Sequence, residues 1–248
     1  MLQDRMLYFP AQARLADMVD EELKPWPDAS DFRGLISAPA GGPSQLSGYK
    51  ATAVVFHGNA GHAAHRAFYV GALAPLGLRV ILAEYPGYGP RTGIPGEERL
   101  VADAEQTIAL ARGLHDAPVI VIGESLGAAV AAAAAARQHD KVSGLLLITP
   151  WDELEHVARF HYPLLPVKWL LRDRYDTAVN LARFRRPVVV AVAGADVIVP
   201  ARFGLALYQG LNQPKSLMLM EQAGHNDWLE HTDADWWRRA LAHLLPRT

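Results

Sequence analysis

The stretch Pro118–Gln138, PVIVIGESLGAAVAAAAAARQ, decides the fold. It opens on a continuous apolar run rich in Val and Ile, the composition of a strand covered on both faces. It closes on a run of alanine, the strongest helix former. Between the two lies Gly123-Glu124-Ser125-Leu126-Gly127, a G-x-S-x-G pentapeptide. A strand that turns directly into a helix at a serine forces that residue onto a sharp, strained corner, with its hydroxyl out at the end of the sheet. Glycines two before and two after leave room for the crowded backbone. The helix N-terminus puts partial positive charge where negative charge would develop during acyl transfer. The pentapeptide alone also fits an ordinary turn with a capping serine. Its flanks favour a nucleophile elbow, with Ser125 as the nucleophile. The alanine run predicts a helix lying very close to a sheet.

Further short apolar runs recur on both sides of this stretch: Ala53–Phe56, Arg79–Ala83, Gly144–Ile148, Pro187–Val192 and Ser216–Met220. They are continuously apolar rather than alternating, as in a parallel sheet with both faces covered. Met6–Phe9 and Leu35–Ala38 are expected as antiparallel edge strands. Helical patterns of crossover length lie between the runs, Glu97–Arg112 among them, and a last helix is expected over about Asp233–Leu245. This alternation predicts an α/β fold, a mostly parallel central sheet with helices on both faces. One α/β domain over 1–248 accounts for the length. Pro150–Arg174 breaks the rhythm and is too long for a plain connection. A small lid-like excursion at about 150–175 is expected there. Its Phe160, Tyr162, Leu164, Leu165, Trp169, Leu170 and Leu171 would either line an acyl pocket or pack over the sheet.

Composition narrows the function. Charged residues make up 20% of the 248, with a formal net charge of −2. No basic face or charge run stands out, so nucleic acid is not an expected partner. The chain has no cysteine, which excludes disulfides, thiolate nucleophiles and Cys-based metal sites. The N-terminal MLQDRMLYFPAQARL has no signal-type apolar core, and no stretch is long and apolar enough to span a bilayer. The expected location is cytoplasmic.

A serine nucleophile needs a base, and the base needs an orienting acid. When the serine sits on an elbow of this kind the chain order is Ser, then Asp or Glu, then His, each partner following a late strand. Asp196, in the loop GADVIVP after Pro187–Val192, is the expected acid. Asp152, after Gly144–Ile148, is the rival, because that strand's end also reaches the imidazole. His225, in EQAGHND after Ser216–Met220, is the expected base. It is the one of ten histidines that combines a preceding strand, a small-residue turn and the right order. Asp227 is too close to it in sequence and reads as a loop or helix-cap residue. Two backbone N–H groups must face the oxyanion. Leu126, after the nucleophile, supplies one, and Asn59, in His57-Gly58-Asn59-Ala60-Gly61 after the Ala53–Phe56 run, is expected to supply the other. His57, His62 and His65 invite a metal reading, but no carboxylate lies in that stretch and the spacing matches no known ligand pattern. No metal and no organic cofactor is expected.

Taken together, HGNAG, then EYPGYG at Glu84–Gly89, GESLG, GADVIVP and AGHND resemble the α/β-hydrolase superfamily. Within it the likeness is to the BEM46-like group, which includes the ABHD13- and ABHD17-like proteins. LYFPAQ near the N-terminus and LLPVKWLLRDRYD in the excursion share it. The resemblance implies the α/β-hydrolase fold, with Ser125, Asp196 and His225 as triad and Asn59 and Leu126 as oxyanion positions. It differs at Pro90-Arg91-Thr92-Gly93, where relatives usually place a serine after the last glycine, so substrate preference does not carry over. The implied activity is hydrolysis of a small-molecule carboxylic ester through an acyl-enzyme. Thioester, lysophospholipid or peptide cleavage by the same residues, or a non-catalytic binding role, are the competing readings. Dehalogenase and epoxide-hydrolase chemistry would call for Asp in place of Ser125.

Overall fold

The computed structural model describes residues 2–38, 48–114 and 116–245. The strands, in chain order, are β1 (Phe9–Pro10), β2 (Leu23–Trp26), β3 (Gly34–Ser37), β4 (Ala51–Phe56), β5 (Ala60–Gly61), β6 (Leu78–Ala83), β7 (Val119–Glu124), β8 (Gly144–Ile148), β9 (Val188–Ala193) and β10 (Lys215–Met220). The helices are α1 (Leu2–Leu7), α2 (Phe68–Leu73), α3 (Glu97–Arg112), α4 (Leu126–Arg137), α5 (Leu154–His161), α6 (Val167–Leu170), α7 (Thr177–Leu181), α8 (Ala201–Gly210) and α9 (Ala234–Leu244).

Eight strands form one sheet in the order β10-β9-β8-β7-β4-β6-β3-β2. From β10 through β6 every neighbour pair is parallel, and β3 and β2 are antiparallel at one edge. The alternation of side chains along each strand feeds two cores. Val54, Phe56, Val121, Leu145, Leu147 and Val190 face α3, α4 and α8. Ala53, Val55, Ile120, Ile122 and Leu146 face Tyr69 and Leu73 of α2 and Trp236, Trp237 and Leu241 of α9. The predicted mostly parallel sheet with helices on both faces is what forms.

The alanine run behaves as its composition predicts. Leu126 through Ala135 are all buried in α4. A Cβ on Gly123 would stand 2.3 Å from Gly127 O, and one on Gly127 would stand 2.1 Å from Phe56 O and 2.5 Å from His57 O. These contacts are with backbone, which cannot swing aside. Gly127→Ala is therefore expected to destabilise the protein by about 3 kcal/mol. Urea unfolding followed by circular dichroism checks this; a midpoint equal to the parent's contradicts it.

The N-terminal expectation is corrected. Met6 and Leu7 end α1, and the following strand, Phe9–Pro10, pairs in parallel with β5 apart from the main sheet. The outer edge strand is β2, with Pro25 in it. An edge tolerates proline because the missing N–H can face outward. The segment 150–175 does leave the sheet, as α5 and α6. Its apolar side chains mostly face outward: Leu164 is 96% exposed and Trp169 85%. Neither a sealed pocket nor plain packing describes them. No helix among the described residues is long and apolar enough to cross a membrane.

Candidate active site

The C-terminal ends of β4, β7, β9 and β10 lie at one end of the parallel sheet, where open α/β sheets place their ligands. Ser125 follows β7 directly. Its backbone has φ 54° and ψ −116°, a left-handed conformation that an L-residue adopts under strain. The corner is pinned by Ser125 N–H donating to Ile148 O at 2.9 Å and Ala128 N–H donating to Ser125 O at 2.9 Å.

His225, in the loop after β10, reaches Ser125. Its Nε2 lies 2.9 Å from Ser125 Oγ, and its Nδ1 lies 2.6 Å from Asp196 Oδ2. The other oxygen of Asp196 accepts from Ile198 N–H at 2.8 Å and Val199 N–H at 2.7 Å. Both oxygens of the carboxylate are thus engaged, and one is held ready for the imidazole. A carboxylate accepts only, so Nδ1 carries the hydrogen and Nε2 is free to accept from the serine hydroxyl. Asp152, the rival acid, faces elsewhere. Its Oδ2 lies 2.8 Å from His156 Nδ1 and its Oδ1 accepts from Glu153 N–H. Asp227 Oδ1 accepts from Gly224 N–H, the loop role expected of it.

The loop after β4 lies against the elbow. A Cβ on Gly58 would meet Ser125 Cβ at 3.7 Å and Glu124 Oε1 at 3.5 Å. Leu126 opens α4, so its N–H has no acceptor within the helix. Among the described residues Asn59 N–H has no acceptor either. The Asn59 side chain points away from this use, since its Nδ2 donates to Leu7 O at 2.9 Å. Asn59 O accepts from Phe9 N–H and from the Tyr88 hydroxyl, each at 2.9 Å. The N-terminal segment therefore straps the outside of this loop, and Tyr8 ties the strap to the excursion by donating to Asp173 Oδ2 at 2.7 Å.

Charged groups missed by the sequence reading surround the loop. Arg66 makes a two-pronged pair with Glu124, Nε to Oε2 at 2.9 Å and Nη2 to Oε1 at 2.8 Å. Burial works against the Arg66 charge, and the adjacent Glu124 outweighs it, so the guanidinium pKa lies above its usual value. His57 does not stand with the other two histidines as a metal cluster would need. Its ring turns inward to Glu84, while His62 and His65 lie against each other with ring centroids 3.6 Å apart and planes tilted by 31°. Burial, then the neighbouring His65, hold the His62 pKa below its usual value. The signal for Glu84 was its position at the end of β6, a carboxylate closing an otherwise apolar run.

A family model described as "Serine aminopeptidase, S33" matches residues 48–176. The chain belongs to this family and is an α/β-hydrolase. An uncharacterized protein of Mycobacterium tuberculosis H37Rv is 38% identical over 188 residues, 75% of this chain and 66% of that protein. Human alpha/beta hydrolase domain-containing protein 17B is 28% identical over 182 residues, 72% of this chain and 61% of that protein. The chain thus matches just under two thirds of the length of these curated relatives. Among solved structures, Est1E from Butyrivibrio proteoclasticus with ferulic acid bound shares the fold at a TM-score of 0.65 and 16% identity, over 84% of this chain and 94% of that one. The monoacylglycerol lipase of Paleococcus ferrophilus does so at 0.60 and 20%, over 83% and 96%.

Proposed function

We propose that this α/β-hydrolase cleaves carboxylic esters through an acyl-enzyme on Ser125. The observation that carries this reading is the continuous hydrogen-bonded series Ser125 Oγ, His225 Nε2, His225 Nδ1, Asp196 Oδ2, with separations of 2.9 and 2.6 Å across the two gaps. His225 takes the serine proton as Ser125 Oγ attacks the ester carbonyl. The N–H groups of Asn59 and Leu126 hold the oxyanion. His225 then gives the proton to the leaving alcohol, and in the second half takes one from water as the acyl group departs. Asp196 holds the imidazole in the required tautomer and stabilises its charge. The chemistry needs no metal and no organic cofactor.

Esters are preferred here to the aminopeptidase substrates that the family description names. A free α-ammonium calls for an unpaired carboxylate beside the scissile carbonyl. Glu124, next to Ser125 in the chain, does not offer one, because Arg66 occupies both of its oxygens. The chain has no cysteine, in keeping with a reducing compartment, and we place the activity in the cytoplasm.

The test is a panel of p-nitrophenyl esters of rising chain length, run beside aminoacyl p-nitroanilides, an acyl thioester and a lysophospholipid. Ester turnover together with a fluorophosphonate adduct located on Ser125 by mass spectrometry is the expected result. Turnover of the anilides alone overturns the ester assignment. A protein inert to every substrate and to the fluorophosphonate is a binding member of the fold instead.

A further inference from the structure

The peptide unit that supplies the Asn59 N–H also contains the Gly58 carbonyl, and that carbonyl is held by a buried side chain. His57 Nδ1 lies 2.7 Å from Gly58 O. A carbonyl oxygen only accepts, so Nδ1 is the donor. On the far side of the ring, His57 Nε2 lies 3.0 Å from Glu84 Oε1, and because a carboxylate also only accepts, this nitrogen donates as well. Both side chains are sealed from solvent, His57 at 1% exposure and Glu84 at 0%. Glu84 is itself fixed at both oxygens: Oε2 accepts from Ala63 N–H at 2.9 Å and Oε1 from Tyr85 N–H at 3.2 Å. The His57 ring is packed between Tyr85 and Tyr88, at centroid distances of 4.4 and 5.4 Å. Tyr85 also donates its hydroxyl to His57 O at 2.8 Å. Burial holds the Tyr85 phenol well above its usual pKa, so it remains a donor.

A buried carboxylate–imidazole pair is an expensive way to fill space, since apolar side chains of the same size pack there without a desolvation penalty. Its geometry suggests another use. A donor on the oxygen of an amide draws electron density through the peptide and strengthens the N–H at the other end as a donor. It also fixes the plane of the peptide, and with it the direction of the N–H.

We propose that Glu84 and His57 form a positioning relay for the oxyanion site, in which Glu84 orients the imidazole and Nδ1 holds and polarises the Gly58–Asn59 peptide. The proposal rests on the reading of Asn59 N–H as an oxyanion donor. The relay resembles the one on the nucleophile's side, where a carboxylate orients the ring that acts on Ser125, with one difference: His225 donates at Nδ1 and accepts at Nε2, whereas both nitrogens of His57 donate, one to Glu84 and one to the backbone facing Ser125. His57 and Glu84 touch no substrate and act only through this peptide.

Three variants test it. In His57→Asn the side-chain amide nitrogen takes the place of Nδ1 and keeps the donor to Gly58 O. In His57→Gln the amide is one bond further out and can meet Glu84 but not Gly58 O. Glu84→Gln keeps the shape and removes the charge, and serves if a His57 variant does not fold. Each is measured for kcat and KM on a soluble p-nitrophenyl ester, for thermal stability, and for affinity to a trifluoromethyl ketone. Ser125 Oγ adds to the ketone carbon, its proton passes to His225, and the former carbonyl oxygen becomes the anion facing Asn59 and Leu126.

The expected result is a loss of about tenfold or more in kcat for His57→Gln, with KM little changed and ketone affinity falling by the same factor. His57→Asn should recover most of that loss, and Glu84→Gln should fall between the two. Equal losses in His57→Asn and His57→Gln, or a kcat loss that leaves ketone affinity untouched, overturn the relay. So does Glu84→Gln with parental kcat and ketone affinity. If ester turnover by the parent survives Ser125→Ala, the functional reading beneath the relay fails. A Ser125-dependent parent whose variants behave in the opposing way isolates the failure to the relay.

Discussion

Replacing Ser125 with alanine is expected to lower kcat on a p-nitrophenyl ester by about 10⁶-fold. The proposed mechanism forms and breaks its one covalent bond at Ser125 Oγ. What remains is the help the Asn59 and Leu126 N–H groups give to direct attack by water. The fold should tolerate the change. The strained φ of 54° at Ser125 is borne by a backbone whose bonds to Ile148 and Ala128 do not involve the side chain, and the Cβ is kept. The hydroxyl bonds to His225 Nε2, so its loss removes one partly buried hydrogen bond. Thermal unfolding should therefore match the parent closely while turnover collapses. His225→Ala should fall nearly as far, and the double variant little further, because the residues act as a unit. Steady-state rates per folded protein decide it, with folding checked by thermal unfolding. A Ser125→Ala protein within tenfold of its parent excludes the acyl-enzyme.

Much of this was legible because the sequence features involved are local. A strand, a serine between two spaced glycines and an alanine helix lie within one short stretch, and the close approach of α4 to β4 leaves no other side chain room at Gly127. Asp196 and His225 were legible because each follows an unbroken apolar run, and strand ends of a parallel sheet converge at one edge. Other features depend on contacts between distant residues. Nothing local in Tyr8 or Leu7 announces that the N-terminal strap would hold Asn59, and its main-chain bonds could be made by almost any sequence. Pro25 hides β2, because proline argues against a strand unless the strand is known to lie at an edge. The apolar excursion reads as pocket or packing because hydrophobic side chains are usually buried. Leu164 and Trp169 lie on the outside, and a short helix projecting from the sheet has no second layer to cover them. In the sequence His57 opens the oxyanion loop, and its side chain offers no reading beyond a metal ligand. Its partner Glu84 is 27 residues away, and the spacing of two side chains on different strand ends carries no periodic signal.

Asp196→Asn should lower kcat by about 10⁴-fold, and Asp152→Asn should leave it within a few-fold of the parent. The two aspartates follow adjacent strands, β9 and β8, so topology alone admits either. Their hydrogen bonds separate them. Asp196 is nearly sealed, takes two backbone N–H groups on Oδ1 and presents Oδ2 to His225. Asp152 presents its Oδ2 to the partly exposed His156, four residues on in the same segment. An asparagine at 196 would keep the two backbone donors on its carbonyl oxygen, which leaves its NH₂ facing His225 Nδ1. That nitrogen must then accept, the hydrogen moves to Nε2, and the imidazole can no longer take the serine proton. The loss is one of tautomer rather than of structure, so the variant should fold normally and its rate should rise with hydroxide concentration as the serine ionises without help. At 152 the same exchange alters a part-buried pair with His156 that has no bond to Ser125 or His225. Parallel kinetics on the two asparagine variants separate the assignments, and a crippled Asp152→Asn beside an active Asp196→Asn would move the acid from the end of β9 to the end of β8.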